Sequence, residues 1–220
     1  MLLTVDGSVH AETLIAASGA IAGFAAQQAL LAQKHNFSIT ALNEYSLNDG
    51  LFIVRSPRGD RYIYGNPLKE MIFCKEKPPT QATARLWEWA ATGAIAAGLD
   101  QSEMPDTLTI WENVNRSIQG GLEGMPSVPK EHLPHLAPMQ LLELVWPMAK
   151  RLLTGKGAGA MAPQGIVVVE HHWWPAITGM VTSATIKQVQ TVLNPRTALL
   201  IAMEAAIFTL KVDPSKFETN

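Results

Sequence analysis

Glu170-His171-His172-Trp173-Trp174-Pro175 sets a carboxylate, two imidazoles and two indoles directly after the apolar run 165–169. If that run is a strand that continues through the hexapeptide, alternation puts Val168, Glu170, His172 and Trp174 on one face. Val167, Val169, His171 and Trp173 then take the other, so the two histidines do not serve one site. Glu170 and His172 remain as an acid–base pair, because a carboxylate beside an imidazole fixes its tautomer and favours its protonated form. Trp174 on the same face could stack on a ligand. The competing reading is a sheet edge whose polar groups meet solvent while the tryptophans cover the core, and it is the preferred one.

Other reactive residues are more scattered. His132-Leu-Pro-His135 has the spacing of metal ligands, but Pro134 forbids an ordinary helix, so the pair is read as ligand-binding at most and no metal is assigned. No His-Glu-x-x-His or Glu-x-x-His occurs. Gly155-Lys156-Gly157 follows a helical pattern rather than preceding one, unlike a P-loop, and no cofactor is expected. Ser127-x-x-Lys130 lies in a proline-broken segment without the elements that accompany a serine nucleophile. Cys74 reads as a small buried residue. Glu204 sits within the apolar run 198–210, where a carboxylate needs a partner, expected to be an Arg or His, or else lines a pocket. Glu88, between Trp87 and Trp89, reads as helix surface.

The totals restrict partners. Of 220 residues, 47% are hydrophobic and 16% charged, with a formal charge of −2. That composition is globular and lacks the basic footprint that nucleic acid requires. A single cysteine excludes an internal disulfide and fits the cytoplasm. The stretch 13–32 is long enough to span a bilayer, but it is mostly Ala and Gly and contains Gln27 and Gln28. It reads as a tightly packed soluble helix, and no membrane partner is expected.

The elements that must position these residues follow from periodicity and punctuation. A helix is expected over 11–33, with Gly19 and Gly23 on one face so that another element can approach its backbone. Strands are expected at Phe37–Ser46, Leu51–Ser56, Arg61–Gly65 and Lys69–Cys74, joined by short turns as an antiparallel meander. Arg58-Gly59-Asp60 reads as one of those turns. Helices are expected over 81–97 and after an Asp106 cap, followed by the proline-rich stretch 125–138. Beyond it come a helix at 139–153 kinked at Pro147, a Gly-rich loop, the strand 165–172, a short helix at 183–193 and a buried one at 196–212. The segment 16–22 matches 90–96 at six of seven places, which suggests two helices that both present small residues for close packing.

The expected class is α+β: an antiparallel β-meander packed against Ala-rich helices, with a helical C-terminal half carrying one further strand or hairpin. The chain 1–220 reads as a single unit, with lobes 1–124 and 139–220 joined by 125–138. The expected function is a cytoplasmic, non-catalytic binding or assembly protein, partnered by itself as a homo-oligomer or by another protein. The alternative is a small-molecule enzyme or ligand-binding protein using Glu170 and His172, with Trp174, His132, His135 and Glu204 contributing to binding.

Overall fold

A computed structural model describes residues 4–5, 8–33, 50–73, 85–156 and 168–217. The expected strand Phe37–Ser46, Cys74 and most of the Gly-rich loop fall outside them.

α1 (Ala11–Gln33) and α7 (Pro195–Lys211) form the centre. Both are apolar round nearly their whole circumference, which requires cover on every side. Gly19 and Gly23 supply the closest contact: a Cβ at either would overlap the backbone carbonyl of Ala202 or Ala206 on α7. The helices are stitched where they meet, since Thr209 donates its hydroxyl to Ala20 O at 2.9 Å. Gln27, fully buried, donates to Leu210 O and Val212 O at 2.7 Å each, satisfying carbonyls that the end of α7 would otherwise orphan.

Around this pair lie α2 (Asn66–Ile72), α3 (Leu86–Ala96), α4 (Thr107–Gly120), α5 (Pro138–Leu153) and α6 (Trp174–Gln188). α5 and α6 cover α1, while α3 packs on α6 and on α7. The internal sequence echo has a packing meaning. Gly93 of α3 meets the Ser183 backbone of α6 as Gly19 meets α7, so each Ala-rich helix presents a glycine to a neighbour's backbone.

Local signals account for the ends. Asp106 Oδ2 accepts the Thr109 N–H at 2.7 Å and opens α4. Asn194 Oδ1 accepts from Arg196 N at 2.9 Å and Thr197 N at 3.3 Å, with Pro195 in the first turn of α7. Glu88 accepts the Arg85 N–H at 2.7 Å, so it caps α3 rather than lying free on its surface. α5 continues through Pro147.

The β structure is slight. β1 (Thr4–Val5) pairs with β2 (Ser8–Val9), and β3 (Phe52–Arg55) with β4 (Arg61–Tyr64), both antiparallel. Arg58-Gly59-Asp60 is the turn between β3 and β4, with Arg58 paired to Glu123 at 3.1 Å and Asp60 to Lys216 at 2.8 Å. Tyr62 bridges to Val212, which ties the hairpin to the end of α7. The α+β class and the helical C-terminal half hold.

Two expected strands are replaced. Lys69–Cys74 gives way to α2, because Pro67 suits a first turn and Leu68 and Ile72, four apart, are buried on one face. The described part of 165–172 is not a strand either: Val168–Glu170 are irregular and His171–Trp173 form a 3₁₀ turn into α6. Trp174-Pro175 opens that helix, which therefore begins well before residue 183.

Gly23→Ala should lower stability by about 1–3 kcal/mol, because backbone rather than a movable side chain occupies the space. Gly120→Ala, at the open end of α4, should be neutral or stabilising by up to about 1 kcal/mol. Urea unfolding of the two variants measures the contrast, and equal effects would contradict this packing.

Candidate functional site

Each candidate residue finds a different setting. His172 Nδ1 lies 3.2 Å from Glu170 Oε2, so the expected pair does meet, but across a 3₁₀ turn and with both side chains at least half exposed. Trp174 is only 2% exposed. Its indole N–H donates to Val169 O at 2.9 Å, and the His171 ring lies against it with centroids 4.2 Å apart. Trp174 packs with Ala20, Phe24, Leu142 and Trp146 and anchors the incoming chain.

His132 and His135 converge, though not on Glu170. They close over the start of α1, where His132 Nδ1 lies 3.1 Å from Glu12 Oε1 and the His135 ring stacks on His10 at 3.8 Å. His10 Nε2 is 3.2 Å from Glu12 Oε2, and His10 Nδ1 is 3.0 Å from Thr13 Oγ1. A Glu12 carboxylate accepts, which suits a His10 that donates from Nε2, while His10 Nδ1 and the Thr13 hydroxyl share a second hydrogen bond. Thr13 Oγ1 in turn accepts the His135 backbone N–H at 3.0 Å. Glu12 likewise meets His132 at Nδ1, an arrangement in which a carboxylate orients an imidazole ring.

This array stands at residues 10–13, whereas Trp174 packs against residues 20–25 of α1. At 1.5 Å per residue the two places are roughly 10–20 Å apart along the helix. His132 and His135 therefore do not complete a Glu170–His172 site. Sequence reading missed His10, Glu12 and Thr13. The available signal was a carboxylate and a hydroxyl in the first turn of a helix whose preceding residue is a histidine.

Glu204 is 1% exposed and accepts Ser127 N–H at 2.7 Å, Ser127 Oγ–H at 3.0 Å and Asn113 Nδ2–H at 3.2 Å. The expected Arg or His partner is replaced by these neutral donors. Burial pushes the carboxyl above its ordinary range, opposed by the Ser127 and Asn113 bonds and the Arg116 charge. The result is a strut that fastens the proline-rich segment and α4 to α7, and it gives Ser127 a structural employment.

Lys211, fully buried at the end of α7, also escaped the sequence reading. Its Nζ lies 4.2 Å from the Tyr64 ring centre and 4.0 Å from that of Trp111, and donates to Asn115 Oδ1. Among the described residues no carboxylate comes within ion-pair distance of it. Burial pushes its amine down to about 7, while the rings and the amide oxygen favour the charged form. Tyr64 is pushed up to about 12 by the same burial.

Among the described residues no group of three or more His, Cys, Asp or Glu is arranged to hold a metal ion. Among the described residues one helix, α1, is long and apolar enough to cross a membrane, and 78% of its most apolar window is buried inside the structure. No known protein family, curated protein or solved structure matches this chain.

Lys211 should make stability depend on pH with a defined sign. Folded chains release its proton at about 7 and unfolded chains near 10.5, so between those values the unfolded state binds more protons. Stability then rises with pH from about 7 until tyrosine ionisation intervenes near 10. Lys211→Met removes that rise, so the stability of the variant relative to the parent should fall steadily from pH 7 to pH 9.5 in urea titrations. A constant difference would contradict the assignment.

Proposed function

We propose that this chain is a cytoplasmic, non-catalytic assembly protein that associates with a second copy of itself through the face formed by α5 and α6. The carrying observation is a stripe of large apolar side chains on α5: Leu144, Met148 and Leu152, 39%, 59% and 62% exposed. They are spaced i, i+4, i+8 and so form one row along the helix. Beside the row runs an apolar groove of about 320 Å³ between α5 and α6, floored by Leu14, Ala17 and Ile21 of α1. Val181 of α6, 55% exposed, stands on its far rim. Contiguous apolar surface of this kind marks contact sites, whereas single exposed residues do not.

Charge along α5 favours a copy of the same chain. Glu143 stands at one end of the row, and Lys150 and Arg151 at the other. An antiparallel α5 pair about a two-fold axis near Met148 lays the row on itself and brings Glu143 towards the other copy's basic end. The single cysteine fits a reducing compartment. A small-molecule reading through Glu170 and His172 has their 3.2 Å contact behind it, but two solvent-exposed groups gain little from each other.

Native mass spectrometry at micromolar concentration tests the proposal. The parent chain should appear as a dimer, and a Met148→Glu/Leu152→Glu variant as a monomer with unchanged far-ultraviolet circular dichroism. A monomeric parent, or a folded variant that stays dimeric, overturns it.

A further inference from the structure

A second concavity, of about 630 Å³, opens on another side of α5. Its α5 residues, among them Trp146, Pro147, Lys150 and Thr154, centre about a third of a turn from the Leu144–Met148–Leu152 row. Glu143, Lys150 and Arg151 also flank the proposed α5 contact, but the cavity is read from its own lining, so the inference does not rest on the assembly reading.

The lining is lopsided in charge. Lys150, Arg151, Lys156 and Lys216 contribute to it, against Glu143 alone. Lys216 is paired with Asp60 at 2.8 Å. Among the described residues, Lys150, Arg151 and Lys156 form no salt bridge, and the sequence 157–167 that follows contains no acidic residue. A helix C-terminus attracts one or two cations, and its half-charge does not account for so many round one hollow.

The fold builds this gathering. Gly155, at φ 69°, ends α5 in the left-handed conformation, and Lys156 N–H donates back to Arg151 O at 2.8 Å. That turn returns Lys156 to the end of the helix beside Lys150 and Arg151 instead of leading it away. The facing wall is the turn Pro214–Phe217, opened by Asp213 accepting the Ser215 N–H at 3.0 Å. Phe217 packs on Phe24 at 4.9 Å, and Trp146 meets Phe24 edge-on at 4.8 Å. Two anchored aromatic residues therefore sit beneath a basic rim.

We propose that this cavity binds a polyanionic organic phosphate. Its phosphates lie on Lys150, Arg151 and Lys156, where the Arg151 guanidinium can engage two oxygens at once. Its ring or apolar remainder rests on Trp146 and Phe217. The volume falls within the range of small-molecule sites.

Isothermal titration calorimetry on the full chain tests this, with ATP as a ring-bearing probe and tripolyphosphate as its ring-free counterpart. ATP should bind saturably at low salt, more weakly as NaCl rises, and more tightly than tripolyphosphate. A Lys150→Glu/Arg151→Glu variant should lose at least tenfold in ATP affinity. A Lys187→Glu variant, which changes an exposed lysine of α6 outside the cavity, should bind as the parent does. Absence of saturable ATP binding, or equal affinity in the parent and the double variant, overturns the proposal. Equal affinity for the two probes overturns the aromatic half of it.

Discussion

The structure depends on a backbone-to-backbone approach between α1 and α7. Two glycines in the middle of a helix each cost about 1 kcal/mol of propensity relative to alanine. Here they remove the Cβ atoms that would hold the helices apart, and Ala-lined surfaces then meet at close range. The approach also sets the polar groups near it. Thr209 and Gln27 reach carbonyls on the opposite helix because the axes are close, and those bonds satisfy groups that packing has cut off from water.

The buried charges of α7 follow from the same arrangement. A helix covered on all sides has no solvent face for Glu204 or Lys211, so each is met by a different neighbour. Glu204 takes neutral donors from the proline-rich segment and α4, and Lys211 takes two aromatic faces and an amide. Each contact fixes a peripheral piece to the central helix. At the other end of the bundle Glu12 does the same for the proline-rich segment, through His132. Among the described residues, Glu12, Glu204 and Lys211 thus act as fasteners, while α5 carries exposed surface of two kinds. One of its sides is apolar and another basic, and these carry the proposed association and the proposed ligand.

Much of the frame was legible in the sequence. Spacing of Gly19 and Gly23 announced a close approach, and Asp106 and Asn194-Pro195 marked helix starts by local chemistry that needs no tertiary context. The run of valines before the hexapeptide at 170–175 suggests a strand continuing through it, whereas Trp174-Pro175 opens a helix. A proline in a first turn is equally a helix start, and that reading makes Trp174 a core residue. Strand alternation would place Glu170 beside His172, and the two side chains do meet, but within one 3₁₀ turn rather than along a strand. His132 and His135 stand near one another, but their partners at residues 10–13 lie about 120 positions away in sequence. No periodicity reports a contact at that separation. Lys211 was illegible for a similar reason: its cage comes from β4 and α4, and only the assembled fold brings Tyr64 and Trp111 to one point.

Hydrogen exchange followed by mass spectrometry over a range of protein concentrations bears most directly on the whole account. The α1–α7 frame predicts that amides in 15–30 and 198–210 exchange slowest and together at every concentration. The proposed α5 face predicts that amides in 143–153 slow as concentration rises. Fast exchange of α1 alongside a protected α7, or α5 exchange indifferent to concentration, would contradict it.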